Sequence, residues 1–110
     1  MRWNICYYNE SVKDDYRSLE ITIKAKFESI MDKMLEYGPD LGLPHTRAMG
    51  KGLFEIRAKG RSGIARGFFC TISNNTIVIL HVFIKKTQKT PPKELSLAQK
   101  RLKEVKHNAI

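Results

Sequence analysis

At 110 residues the chain is near the common size of one domain, so a single core spanning residues 1–110 is expected and a second domain is not. Twenty Lys+Arg against eleven Asp+Glu leave a net charge of +9, which must spread a positive potential over part of so small a surface and favours a polyanionic partner over a cationic one. The longest apolar run, residues 76–84, is short and interrupted by His81, and residues 1–4 do not begin a signal peptide, so a soluble, cytoplasmic protein without a membrane span is expected.

Residues 1–8, rich in Trp, Ile, Cys and Tyr and ending at Asn9, predict a first strand and a turn. Ser11-Val12-Lys13-Asp14 then offers a hydroxyl N-cap with an acid three residues on. After it Val12, Tyr16, Leu19, Ile23, Phe27, Ile30, Met34 and Tyr37 recur at steps of three and four, the spacing of one helical face. Gly38-Pro39 stops it. One long helix and two helices joined near residues 16–19 both fit this pattern, because Ile21-Thr22-Ile23 is a β-branched run inside it.

Residues 40–51 carry Gly, Pro and Asp and predict a loop. Residues 53–59 alternate, with Phe54, Ile56 and Ala58 on one face and Glu55, Arg57 and Lys59 on the other. Gly60-Arg61-Ser62-Gly63 turns this strand back into a second at 64–72, and Ser73-Asn74-Asn75 turns that into a third at 76–85. The third is almost continuously apolar, as a central strand would be, and ends in basic residues. Thr90 is placed to cap a last helix starting at Pro91, with Leu95, Ala98, Leu102 and Val105 as its apolar stripe and Lys100, Arg101, Lys103 and Lys106 on its charged side. The predicted class is α+β: a small antiparallel sheet in β-α-β-β-β-α order with helices packed on it. Cys6 and Cys70 are expected as reduced, buried thiols.

If the apolar face of 53–59 packs on the helices, Arg57 and Lys59 lie on the opposite face. Arg66 sits on the neighbouring strand, Lys85 and Lys86 close the third, and Lys89 follows, so cations from three strands converge. Arg66 falls between Ile64 and Phe68 on one face, where a guanidinium calls for a planar anionic partner. Such a set suits RNA cleavage by a ribose 2′-hydroxyl: preorganised cations stabilise the phosphorane, and a lysine whose pKa is depressed by neighbouring cations can lose its own proton and so serve as a base. Arg57, Arg66, Lys85 and Lys86 are the catalytic candidates, and Lys59, Arg61 and Lys89 the RNA-binding ones. His45, His81 and His107 lie far apart, no Cys/His or Asp/Glu cluster has metal-ligand spacing, and no glycine-rich phosphate loop precedes a helix, so neither metal nor cofactor is expected. His81 reads as a core or sheet-face histidine.

Leu43-Pro44-His45-Thr46-Arg47, Gly52-Leu53-Phe54-Glu55-Ile56-Arg57, Arg66-Gly67-Phe68-Phe69 and Leu80-His81-Val82-Phe83-Ile84-Lys85-Lys86-Thr87-Gln88-Lys89-Thr90-Pro91, together with Glu94, Ala98 and Arg101, resemble in order and spacing the phage-derived HigB-like branch of the RelE toxin superfamily. The resemblance implies a type II toxin that cleaves messenger RNA as an endoribonuclease (an mRNA interferase), typically in the ribosomal A site. It also implies a cognate helix-turn-helix antitoxin as the neutralising partner. Carried over to this chain, it makes Arg57 the basic residue of the second sheet strand, Arg66 the phosphate-stabilising arginine and Lys86 the basic residue ending the last strand. Thr87-Gln88-Lys89-Thr90 lacks the tyrosine or histidine that some members place there for proton transfer, which leaves Lys85, Lys86 and Lys89 as acid or base candidates. Two rival readings are a catalytically inactive toxin-like module that grips RNA or the ribosome, and an interaction protein whose basic helix meets an acidic partner.

Overall fold

A computed structural model describes residues 2–85 and 91–108. The chain order is β1 (Asn4–Tyr7), α1 (Glu10–Arg17), α2 (Ile21–Tyr37), β2 (Thr46–Gly50), β3 (Leu53–Gly60), β4 (Gly63–Ile72), β5 (Thr76–Lys85) and α3 (Pro92–Asn108). The strands form one sheet in the order β1-β5-β4-β3-β2. The α+β class stands; of the two helix alternatives the structure takes the two-helix one, and it adds a fifth strand to the expected order.

The apolar stripe read from the sequence breaks into α1 and α2 at residues 18–20. Asn9, not Ser11, caps α1, its side chain accepting a hydrogen bond from the Val12 amide at 2.9 Å. Ser18 closes α1, and Glu20 takes an extended ψ of 144° and accepts from the Thr22 amide, so Ile21-Thr22-Ile23 opens a new helix instead of interrupting one. Val12, Tyr16, Ile23, Phe27, Ile30 and Met34 are all buried, whereas Tyr37 at the end of the stripe is 80% exposed.

The predicted loop at 40–51 contains β2, which pairs antiparallel with β3. Thr46-Arg47-Ala48-Met49-Gly50 has neither alternation nor β-branched density, and it is held as an edge strand by backbone bonds to a partner no local pattern announces. At the other edge β1 runs parallel to β5, so the sheet is mixed. The chain leaves one edge, crosses one face as α1 and α2, and re-enters at the far edge as β2. The apolar run of β5 is interior, between β1 and β4, but the middle position belongs to β4.

Two cores follow from the two faces. On the first, α1 and α2 pack on Ile56, Ala58, Ala65, Phe69, Ile77, Ile79 and Val82. Gly67 belongs to this face: a Cβ there would lie 2.6 Å from Cζ of Phe27, so the glycine makes room for an aromatic ring. On the second, Ala98 and Leu102 of α3 cover Leu53, Phe68, Cys70, Val78 and Leu80. This core occupies only one end of the sheet, and the other end of the same face carries the charged residues. Cys70 is buried as expected, but Cys6 is exposed, because it lies on edge strand β1; both are free thiols.

α3 begins at Pro92, one residue later than predicted, with the Pro91 carbonyl accepting from the Glu94 and Leu95 amides at 3.1 and 3.2 Å. The proposed Thr90 cap lies outside the described residues. Arg101, expected on the solvent side, folds inward, donating to the Leu80 carbonyl at 2.7 Å with its guanidinium 4.8 Å from the Tyr8 ring centre. The reason is a register shift between β4 and β5: Phe68 pairs with His81 and Phe69 with Ile79, which leaves Leu80 without a cross-strand partner and its carbonyl free for Arg101.

Candidate functional site

Strand register lays the charged end of the second face out in rows. The first runs Arg47, Glu55, Phe68, His81 across β2, β3, β4 and β5. Next comes Arg57, Arg66, Phe83, and then Lys59, Ile64, Lys85. Neighbouring strands stand about 4.8 Å apart and successive same-face residues about 7 Å apart, so these side chains share a patch about the size of a nucleotide phosphate and its surroundings. Arg47, Arg57, Lys59, Arg66 and Lys85 bring positive charge to it, and Glu55 is the carboxylate within the rows.

Glu55 organises the patch. Its side chain is fully buried, and Oε1 accepts from Nη1 of Arg66 at 2.7 Å and lies 3.3 Å from Nη2 of Arg47. Arg66 is itself only 2% exposed, while the Arg47 side chain is 44% exposed. The anionic partner inferred for Arg66 from its place among apolar neighbours therefore exists inside the protein, on the adjacent strand. Among the described residues, Oε2 of Glu55 and Nε of Arg66 have no hydrogen-bond partner.

Beside this chain, Lys85 is half-buried at the end of β5. Burial and then the neighbouring Arg66 guanidinium push its ammonium below the usual lysine range, with Arg57 and Arg47 adding to the effect and Glu55 opposing it. Arg57 is half-buried, and its backbone amide donates to the His45 carbonyl at 2.9 Å. Lys59 is exposed at the rim.

The structure thus brings Arg57, Arg66, Lys85 and Lys59 onto one face. Arg61 is placed in the turn between β3 and β4, where its amide donates to Oγ1 of Thr22 at 2.7 Å, tying the hairpin tip to the start of α2. Lys86 and Lys89 lie outside the described residues. His81 is 8% exposed, its Nε2 3.1 Å from Oε2 of Glu94 and its ring stacked on Phe83, a sheet-face histidine that pins the first turn of α3.

Sequence reasoning missed Arg47 and the role of Glu55. Arg47 fell in a segment read as loop, and Glu55 was read only as one more polar residue on an alternating strand. The available signal was the alternation itself: it put Glu55 two residues from Arg57 on the very face that Arg66 needed an anion for. Among the described residues, no group of three or more His, Cys, Asp or Glu is arranged to hold a metal ion, and no helix is long and apolar enough to cross a membrane.

Comparison with known proteins adds an independent line. No curated protein matches the chain. The family described as "Phage derived protein Gp49-like (DUF891)" matches residues 14–103, which takes in α2, the whole β2–β5 sheet and most of α3. That family is RelE-like and toxin-like and is associated with toxin–antitoxin systems, which suggests an antitoxin partner. With most of its length matched, including every strand of the cationic patch, the chain belongs to the phage-derived Gp49-like family.

Proposed function

We propose that the chain is the toxin of a toxin–antitoxin pair and an endoribonuclease of HigB type that cuts messenger RNA on the ribosome, in the cytoplasm, using side chains alone. The observation that carries this reading is the cationic end of the sheet, where Arg57, Lys59 and Lys85 lie on one face beside a buried Arg66–Glu55 pair. In the proposed reaction the ribose 2′-oxygen attacks the adjacent phosphorus while the bond to the 5′-oxygen breaks, leaving a 2′,3′-cyclic phosphate and a 5′-hydroxyl. Arg57, with Arg66 behind it, stabilises the charge that grows on the phosphorane. Lys85 acts as the neutral amine, the form that burial and Arg66 favour, and becomes an ammonium as it takes the 2′-proton. Lys86 and Lys89 are the candidates to protonate the leaving oxygen. A helix-turn-helix antitoxin would neutralise the protein by direct binding.

A second reading, a toxin-like module that holds RNA or the ribosome without cutting, is favoured by one observation: Arg66 is buried and already paired. Cleavage separates the two. Purified chain is mixed with ribosomes translating a defined message, and new 5′-hydroxyl ends are mapped for the wild type, Arg57→Ala and Lys85→Ala. The proposal expects ends that depend on Arg57 and Lys85; RNA binding with no new ends would replace it with the second reading.

A further inference from the structure

Arg66, Glu55 and Arg47 form a charge chain that runs from the interior to solvent. The buried carboxylate neutralises the buried guanidinium, so Arg66 supplies field and not contact, and the half-exposed Arg47 is the end that reaches the surface. We propose that Arg47 contacts an RNA phosphate and that Glu55 is the positioning residue that aims it. The proposal rests on the RNA reading above and adds to it a residue and a cause for that residue's geometry.

The physical case begins with repulsion. Arg47 stands in the row next to Arg57 and Arg66, so without an anion it would be driven off the patch by like charges about 7 Å away. Glu55 lies directly opposite it in register, and Nη2 of Arg47 forms an ion pair with Oε1 of the carboxylate at 3.3 Å. That ion pair holds the Arg47 head beside the patch and leaves its remaining donors for a planar, fork-shaped contact of the kind phosphate recognition uses. Because Oε1 of Glu55 is held by Arg66 on its other side at 2.7 Å, the aiming contact is itself anchored in the core. Arg57, in the neighbouring row, and the half-buried Lys85 share that face, so a phosphate held by Arg47 would lie at the solvent edge of the same cationic patch.

The test uses the intact chain and a single-stranded RNA oligonucleotide with 2′-O-methyl riboses, which blocks attack and separates binding from cleavage. Affinity is measured over a range of salt for the wild type, Arg47→Ala, Arg47→Lys and Glu55→Gln, each checked for a cooperative thermal transition. Losing one phosphate contact should make the log–log salt slope of Arg47→Ala shallower by about 0.7. Arg47→Lys should keep the slope, since its charge is kept, yet cut unmodified RNA about tenfold or more slower because the fork is gone. Glu55→Gln should bind RNA at least as tightly as the wild type, as the patch gains net charge, while cleavage falls. A purely structural Arg47 would lower the thermal transition and leave the slope unchanged, and that result overturns the proposal. Arg47 is half-exposed, so its two variants decide the matter even if Glu55→Gln does not fold. If the wild type does not bind the oligonucleotide, both this proposal and the RNA reading fall. If the wild type binds and cuts while Arg47→Ala matches it in slope, the Arg47 assignment alone falls.

Discussion

The buried pair allows a stability prediction whose asymmetry comes from the geometry. Glu55→Leu, close to glutamate in size, leaves the 2% exposed Arg66 without a counter-charge, and breaking a buried pair in this way costs about 3–5 kcal/mol. Arg66→Met should cost less, about 1.5–3 kcal/mol, because Glu55 keeps Arg47 at 3.3 Å and through it an ion partner in contact with solvent. The double variant removes both buried charges together and should return to within about 2 kcal/mol of the wild type. The singles are therefore far from additive, with a coupling of at least about 2.5 kcal/mol. Urea denaturation followed by circular dichroism measures all three, provided the m-value is unchanged. If the double variant is destabilised by the sum of the singles, or if Glu55→Leu costs no more than Arg66→Met, the claim that Glu55 is the shared pivot of the patch is wrong.

Gly67→Ala should destabilise by about 1–3 kcal/mol, since the new methyl meets the fully buried Phe27 ring at 2.6 Å; coexpressing the change with Phe27→Leu should recover part of the loss, and no recovery would place the cause elsewhere. The two thiols should differ in a disulfide-exchange assay at pH 8: Cys6 is exposed and reacts, whereas burial lifts Cys70 to about 11 and keeps it silent until the fold opens. Two thiols reacting at one rate in native buffer would contradict this. Hydrogen bonds from Thr22 and then Ser62 hold the Glu20 carboxyl down from 4.5 to about 2. A carboxyl lowered on folding stabilises the native state above its ordinary range and loses that effect as pH falls from 4.5 toward 2. Thermal melting across that window should fall more steeply for the wild type than for Glu20→Gln; parallel curves would remove Glu20 from the linkage.

How much of the site was legible can be told residue by residue. Arg57, Lys59, Arg66 and Lys85 were placed together because period-two alternation assigns a face to each strand residue, and the hairpin turns at 60–63 and 73–75 set which strands neighbour each other. That reasoning needs only local spacing. Arg47 could not be placed in this way, since edge strand β2 is defined by bonds to β3 and has no pattern of its own. The outward set predicted for α3 failed at Arg101 for a similar reason. The Leu80 carbonyl that draws it inward is freed by a register shift between strands, which helical periodicity in residues 92–108 does not encode.

The sequence by itself determined the α+β class, the amphipathic helices, the β3–β5 meander and the gathering of cations on one sheet face. Each depends on side-chain spacing along a single element or across a tight turn. Only the tertiary structure decided that Arg66 is buried against Glu55, that Arg47 is the exposed end of that chain, and that the α3 core occupies one end of the face and the charged residues the other. Those outcomes turn on which distant strands pair and in what register, so the energy that selects them lies in contacts between segments far apart in the chain and in the cost of leaving a buried charge unpaired.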